Sequence, residues 1–431
     1  MSAGAALLFL SASQPALATV KATPASGTPQ LATTGTAEQV RKLVQCGQVM
    51  YAVGSFTSIE QNGMTFARNN IFSFSAVAPY TVTAWNPDVN GVVNSIAFNG
   101  GDCSTAYIGG KFSSVDGTTV ANIAAISTST GAVQAGFAHS ANGQVETLVS
   151  YNGHLLVGGY FTAINGDSTD KYLVSLSPVT GRDDGFVSLN ISGNYQFCDA
   201  SGTKCATTNN TRVYNQQLSH GGMLDLVEGD FTSVGGQSRQ QIFMLNLAGT
   251  TATVTGWTSP EFNNHCALQE PFYIRAGSWS PNDATVYIAS TGFHPLNWHG
   301  QFPFTTLCDV AAAFPATQQT VKPTWVNYTG CDSLYSTAAG TRTVYFGGHE
   351  RWSENPNGCN TQGPGAISAP GMEGLSPSTG LLIFNPTRSR GFGADDMLLT
   401  TAGLWIASDN YEGADMCGHV SGHAGICFLP F

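Results

Sequence analysis

The chain has 431 residues, too many for one ordinary compact core, so length alone points to two or three domains or one large repeat architecture. Apolar residues make up 42% and charged residues only 10%, with 50 glycines; this excludes a disordered chain and implies a neutral, polar surface. The net charge of −11 with only 16 Lys+Arg argues against nucleic acid and anionic membrane as partners, because both are bound through clustered basic residues.

The N-terminus reads as a signal peptide over residues 1–18. Ala5 to Leu10 is a short apolar run, and Ala16-Leu17-Ala18 has the small-x-small form of a cleavage site. No Lys or Arg precedes the run, which departs from the usual pattern. The mature chain then begins near Thr19. Ten cysteines with no Cys-x-x-Cys pair suit disulfides better than metal or redox chemistry. No later stretch is long and apolar enough to span a membrane. Together these predict a secreted, extracellular protein, free or associated with the cell wall.

Residues 19–38 form an N-terminal segment, and from 39 onward the sequence repeats. Segments ending in a Gly-x-Phe-like step recur at Tyr51–Phe56, Tyr107–Phe112, Leu156–Phe161, Leu226–Phe231, Ile288–Phe293, Phe346–Glu350 and Ile406–Asn410. Periods of this size, rich in β-branched and aromatic residues, predict propeller blades. Each unit reads as four strands. Strand A is a Val-rich run, B is the glycine-ended run, and C is again β-rich. D carries an aromatic: Trp85, Phe137, Phe186, Trp257, Trp325 or Phe384. Thr-Gly turns at Thr130-Gly131, Thr180-Gly181 and Thr379-Gly380 separate C from D. The expectation is an all-β, seven-bladed β-propeller of four-stranded antiparallel blades. The blades run approximately 39–91, 92–143, 144–211, 212–271, 272–332, 333–393 and 394–431. The seventh lacks its own strand D, so a closing strand is expected from the N-terminal segment, within Pro29 to Glu38.

This repeat resembles that of secreted bacterial β-propeller proteins built on Val-Gly-Gly-x-Phe units, an uncharacterised group. The resemblance covers roughly residues 40–431 and is strongest in blades 1 to 4. It implies the fold and a secreted setting, and it brings no catalytic residues.

Alternating strand direction puts B–C and D–A connections on one face. The B–C connection is a short turn in blades 2 to 4 and only slightly longer in blade 1. In blades 5 to 7 it becomes long and rich in aromatics, His and carboxylates. Long loops in compact folds are commonly functional. The ligand-binding candidates are His294, Trp298, His299, His349, Arg351, Trp352, Asn355 and Tyr411. Aromatic faces beside amides and charges suit a neutral polysaccharide or cell-wall glycan, by stacking and hydrogen bonding. A protein surface is the other partner considered, for a structural or protein-interaction propeller. A glycan-cleaving enzyme would draw two carboxylates from Glu350, Glu354, Asp409, Glu412 and Asp415. No metal site and no cofactor are expected. The glycines around His419-x-x-x-His423 argue against a helix that could pair the two rings, and no Gly-x-Ser-x-Gly elbow accompanies a strand-to-helix pattern. The chain is expected to be a monomer. The predicted disulfides are Cys46–Cys103, Cys198–Cys205, Cys266–Cys308, Cys331–Cys359 and Cys417–Cys427, most of them stapling long loops.

Overall fold

A computed structural model describes residues 19–194, 211–263, 266, 273–292, 307–330, 332–356, 361–386, 390–391, 393–411 and 423–431. These are all-β, with no α-helix and one short 3-10 turn at Pro260–Asn263. No described helix is long and apolar enough to cross a membrane.

Seven principal antiparallel sheets follow one another along the chain, accompanied by four small two- or three-stranded ones. The first strands of the principal sheets are Gln39–Cys46, Val92–Asn99, Val145–Tyr151, Arg212–Leu218, Ile274–Trp279, Leu334–Ala339 and Asp396–Leu399. Each is followed by a second strand, with glycine at or near its end in all but sheets five and seven, and that in turn pairs with a third strand such as Ile71–Ser75 or Ile242–Asn246. The middle strands are buried on both faces; Val49–Ser55 and Leu224–Asp230 are covered along nearly their whole length. That explains the continuous apolar run of Val49–Val53, since strands with a solvated face alternate instead.

Packing is sequential and cyclic. Each pair of successive sheets shares its own apolar core, as where Tyr107 and Phe137 of sheet two meet Leu148 and Val157 of sheet three. A further core joins the last sheet to the first, with Trp405 and Phe428 against Met50, Phe72 and Phe74. The first strands of neighbouring sheets lie side by side, and Asp396–Leu399 of the seventh lies against Gln39–Cys46 of the first. A fully buried aliphatic or phenyl side chain stabilises by roughly 1.5–3 kcal/mol, so these interfaces rather than any one sheet hold the molecule together.

The short connections use the chemistry read from the sequence. Asn62-Gly63, Asp116-Gly117, Asn165-Gly166 and Gly235-Gly236 all have positive φ at both residues. Turns of that hand match the twist of a β-hairpin and favour Asn, Asp and Gly.

The expectation of four strands per unit needs correction. A regular fourth strand is present only in sheets four to six, at Thr253–Val254, Trp325–Tyr328 and Leu382–Phe384. In the first three it shrinks to single bridges, Phe74 to Val82, Ile126 to Val133 and Leu176 to Asp183. In sheet three the side chains compete with the ladder: Gly185 N–H donates to Asp183 Oδ1 at 2.7 Å and Phe186 N–H to Asp184 Oδ1 at 3.1 Å. Such local turns replace strand pairing.

The N-terminal segment also lies slightly differently from expectation. Lys21 N–H donates to Pro430 O and Ala25 N–H to Phe428 O, at 2.8 and 2.9 Å. The stretch along the edge of Ile426–Pro430 is therefore upstream of Pro29. Gln30–Leu31 instead pairs with Ser58–Gln61 of the small hairpin after sheet one's second strand. Equivalent contacts recur at Val89 to Val115, Ala141 to Ile164 and Ile191 to Val234. The segment thus supplies to sheet one what the preceding connection supplies to sheets two, three and four.

Two disulfides are as expected. Cys46–Cys103 ties the end of sheet one's first strand to sheet two's second strand. Cys266–Cys308 fastens the connection between sheets four and five to the start of sheet five's third strand. Cys427 is disulfide-bonded as well. Cys198, Cys205, Cys331, Cys359 and Cys417 lie outside the described residues.

Candidate functional site

His294, Trp298, His299, Glu412 and Asp415 lie outside the described residues. The others fall on sheets six and seven and their connections, where most bond to neighbouring backbone or side chains. Asp332 accepts from Arg351 Nε at 2.7 Å and Nη2 at 3.0 Å, and from Arg390 Nη2 at 2.7 Å. The Arg351 guanidinium also covers one face of Trp352, 4.6 Å from the ring centre. Burial, with Arg390 nearby, pushes the His349 pKa down. Asn355 is buried, accepting from Gly363 N–H and donating to the carbonyl of Thr361. Asp409 is buried and accepts backbone N–H from Gly393 and Tyr411. Glu354 accepts from Leu382 N–H at 2.8 Å. Tyr411 is exposed.

Glu350 is wholly buried, its carboxyl pushed well above the usual carboxylate range by burial and by Glu373 beside it. Burial pushes Glu373 up to about 8, partly offset by the Ser353 hydroxyl. Sheet four holds a similar pair, Asp225 and Glu228, both driven up chiefly by burial.

A further concavity is formed by other residues. A cavity of about 340 Å³ is lined by the first strands of all seven sheets. Six of those strands carry a register shift near their start, where one residue is inserted between paired positions. Such a bulge turns its extra side chain out of the alternating pattern. In sheets one to three these residues are Arg41, Asn94 and Glu146; in sheets four to six they are Tyr214, Arg275 and Tyr335. Asp395, just before the seventh first strand, occupies the matching place, and all seven line the cavity.

The repeat glycine explains how the bulge is accommodated. A Cβ on Gly54, Gly110, Gly159, Gly229 or Gly348 would overlap the backbone carbonyl of Gln39, Val92, Gln144, Arg212 or Ser333 respectively. Each carbonyl lies just ahead of its bulge. Glycine is thus required where the bulged strand presses on its neighbour, and the repeating glycine marks the position opposite a variable, cavity-lining side chain.

The ring has two unlike halves. Arg41 Nη1 donates to Asn94 Oδ1 at 2.8 Å, and Asn94 Nδ2 to Glu146 Oε2 at 3.0 Å. On the other side Tyr214 stacks on Tyr273, ring centres 4.3 Å apart, with the Arg275 guanidinium 5.4 Å from the Tyr214 centroid. Burial raises the pKa of both Tyr214 and Tyr335, keeping them hydroxyl donors. Asp395 is pushed up to about 6 by burial, which outweighs the attraction of Arg275 and Arg41.

Sequence reading missed all seven. Their types differ from unit to unit, so no motif marks them. The one available signal was positional: each follows an aliphatic residue near the start of strand A, as in Val40-Arg41, Val145-Glu146 and Ile274-Arg275.

No family model and no curated protein matches this chain. Among solved structures, the computationally designed Ika8 protein aligns over 94% of this chain and all of its own, at 9% identity and a TM-score of 0.46. The extracellular domain of BT4673 from B. thetaiotaomicron aligns over 94% of this chain at 11% identity and a TM-score of 0.47. This chain spans 40% of that second protein. Neither likeness bears on function.

Proposed function

We propose that the protein is a secreted seven-bladed β-propeller that binds an extracellular glycan on the long-loop face of sheets five to seven. The cyclic order of inter-sheet cores supports the propeller, as does the N-terminal segment running beside Ile426–Pro430. The paired disulfides and low charge fit an extracellular setting. The Val-Gly-Gly-x-Phe resemblance points the same way.

The observation that carries binding is the cavity bounded by the first strands of all seven sheets, with a ring of mixed donors, acceptors and aromatics. That ring sits at the starts of the first strands, the end from which the B–C loops rise. Tyr335 precedes Ser336, which pairs with Gly347 close to the loop beginning at His349. A floor of fixed polar groups beneath a wall of loops is how small polar ligands are commonly held. Among the described loop carboxylates, Glu350 is sealed off, and Glu354 and Asp409 accept backbone N–H groups. This favours binding over cleavage.

A glycan array with residues 19–431 tests the reading, followed by calorimetric titration of the hits. Tyr335→Ala should weaken binding of any hit by about 1–3 kcal/mol, the range for a central aromatic contact. Binding unaffected by Tyr335→Ala would place the ligand away from this cavity.

A further inference from the structure

The ring of bulge residues has one open sector. Arg41, Asn94 and Glu146 are linked to one another by hydrogen bonds. Arg275 stands half-buried on the cavity wall, and no described residue forms an ion pair or hydrogen bond with it. Its contact is with the face of Tyr214, which leaves the edge donors of the guanidinium uncommitted. Desolvation works against its charge, and Tyr273, Asp395 and Glu146 more than offset this from a distance. No hydrogen bond of the described fold uses these donors, so the charge calls for a role outside folding.

Resting on the glycan reading above, we propose that Arg275, flanked by the Tyr214 and Tyr335 hydroxyls, receives the carboxylate of an acidic sugar residue, with Asp395 accepting from a neighbouring sugar hydroxyl. The planar guanidinium fork matches a carboxylate in a bidentate contact. A single open guanidinium suits a monoanion. A phosphate monoester would crowd more negative charge toward Asp395, Asp396 and Glu146, all of which line the same cavity. Asp395 lines the same cavity, which puts a carboxyl there to accept from a hydroxyl. At 340 Å³ the cavity is at the lower end of small-ligand sites. It therefore takes one or two sugar units rather than a folded surface. The groups also stand on strands pinned by paired neighbours, so their placement is fixed before the ligand arrives.

The test is calorimetric titration of residues 19–431 with oligogalacturonate, oligoalginate and hyaluronan tetrasaccharide. Each is paired with its carboxyl-reduced form, and a mixture of L-amino acids is a further arm. At least one acidic form should bind, with carboxyl reduction weakening it tenfold or more. Arg275→Gln should cause a similar loss and abolish the difference between acidic and reduced forms. Arg275→Lys should lose less, and Tyr335→Phe should fall between. The melting temperature of Arg275→Gln should stay close to that of the parent chain. Equal binding of acidic and reduced forms by the parent chain would overturn the carboxylate assignment and leave the glycan reading standing. Binding of amino acids but no glycan would overturn both, as would binding of nothing in the panel or on the array. A large drop in melting temperature for both Arg275→Gln and Arg275→Lys would show Arg275 to be structural, and would also overturn the assignment.

Discussion

Gly159 shows how much one residue can encode. Its place in Leu156-Val-Gly-Gly-Tyr-Phe161 looks in sequence like strand punctuation. In the structure a Cβ there would overlap the carbonyl of Gln144, beside the bulge that sends Glu146 into the cavity. Gly159→Ala should therefore destabilise by about 1–3 kcal/mol or more, since the clash is with backbone that cannot rotate away. Gly101→Ala is the control: it faces open space without a left-handed backbone, and its effect should stay within about 0.5 kcal/mol. Thermal or urea unfolding of the two variants decides the point, and equal stability would mean that the bulge relaxes. The glycines were legible because they repeat. The ring residues were not, because a position that reads different chemistry in each unit has no repeating identity to detect.

At the scale of the element, the aromatic once assigned to strand D acts as a link between sheets. Trp85 Nε1 donates to Ser127 O at 3.0 Å, Trp257 Nε1 to Pro315 O at 2.9 Å and Trp325 Nε1 to Pro377 O at 2.9 Å. Each acceptor belongs to the end of the next sheet's third strand or the turn beyond it. The Thr-Gly turn of that next sheet comes to the same place, with Gly131 against Pro87 and Gly380 against Trp325. Trp257→Phe keeps most of the buried ring but leaves the Pro315 carbonyl without its donor, costing about 1–3 kcal/mol. Trp257→Ala adds a cavity and should cost roughly 3–5 kcal/mol. Chemical denaturation of both variants checks the ordering, and a Phe variant as unstable as the Ala variant would assign the whole effect to the hydrogen bond. The periodic aromatic was plain in the sequence. Its role was not, because strand D was inferred from spacing while Asp183, Asp184 and Thr83 divert the local backbone amides into side-chain turns. The loop face was legible only as a composition. Which of its charges pair internally, as Asp332 does with Arg351 and Arg390, depends on residues far apart in sequence.

For the whole molecule, the buried acids set how stability depends on pH. Glu350, Glu373, Asp225 and Glu228 sit inside an apolar assembly, each with a carboxyl pKa raised chiefly by burial. A carboxyl raised in the folded state is protonated there while its unfolded counterpart is already ionised. The folded state then binds more protons, and stability falls with rising pH across the gap. For Glu373 that gap runs from the ordinary value of 4.5 to about 8. At roughly 1.4 kcal/mol per unit, this one group accounts for up to about 5 kcal/mol. The stabilisation is intact below pH 4.5, declines through neutrality and is gone above about 8. Asp395, pushed up to about 6, adds a smaller loss at the acid end of the same range. General repulsion in a chain of net charge −11 acts in the same direction, so the slope alone does not identify the cause. Glu373→Gln separates the two, because it removes one titrating group and keeps the remaining charge. Thermal melts from pH 4 to 9 should show the parent chain losing melting temperature as pH rises, and the Gln variant losing distinctly less. A parent chain equally stable at pH 5 and pH 8 would mean that water reaches these carboxyls, and that the inter-sheet cores are less tightly closed than the cyclic packing requires.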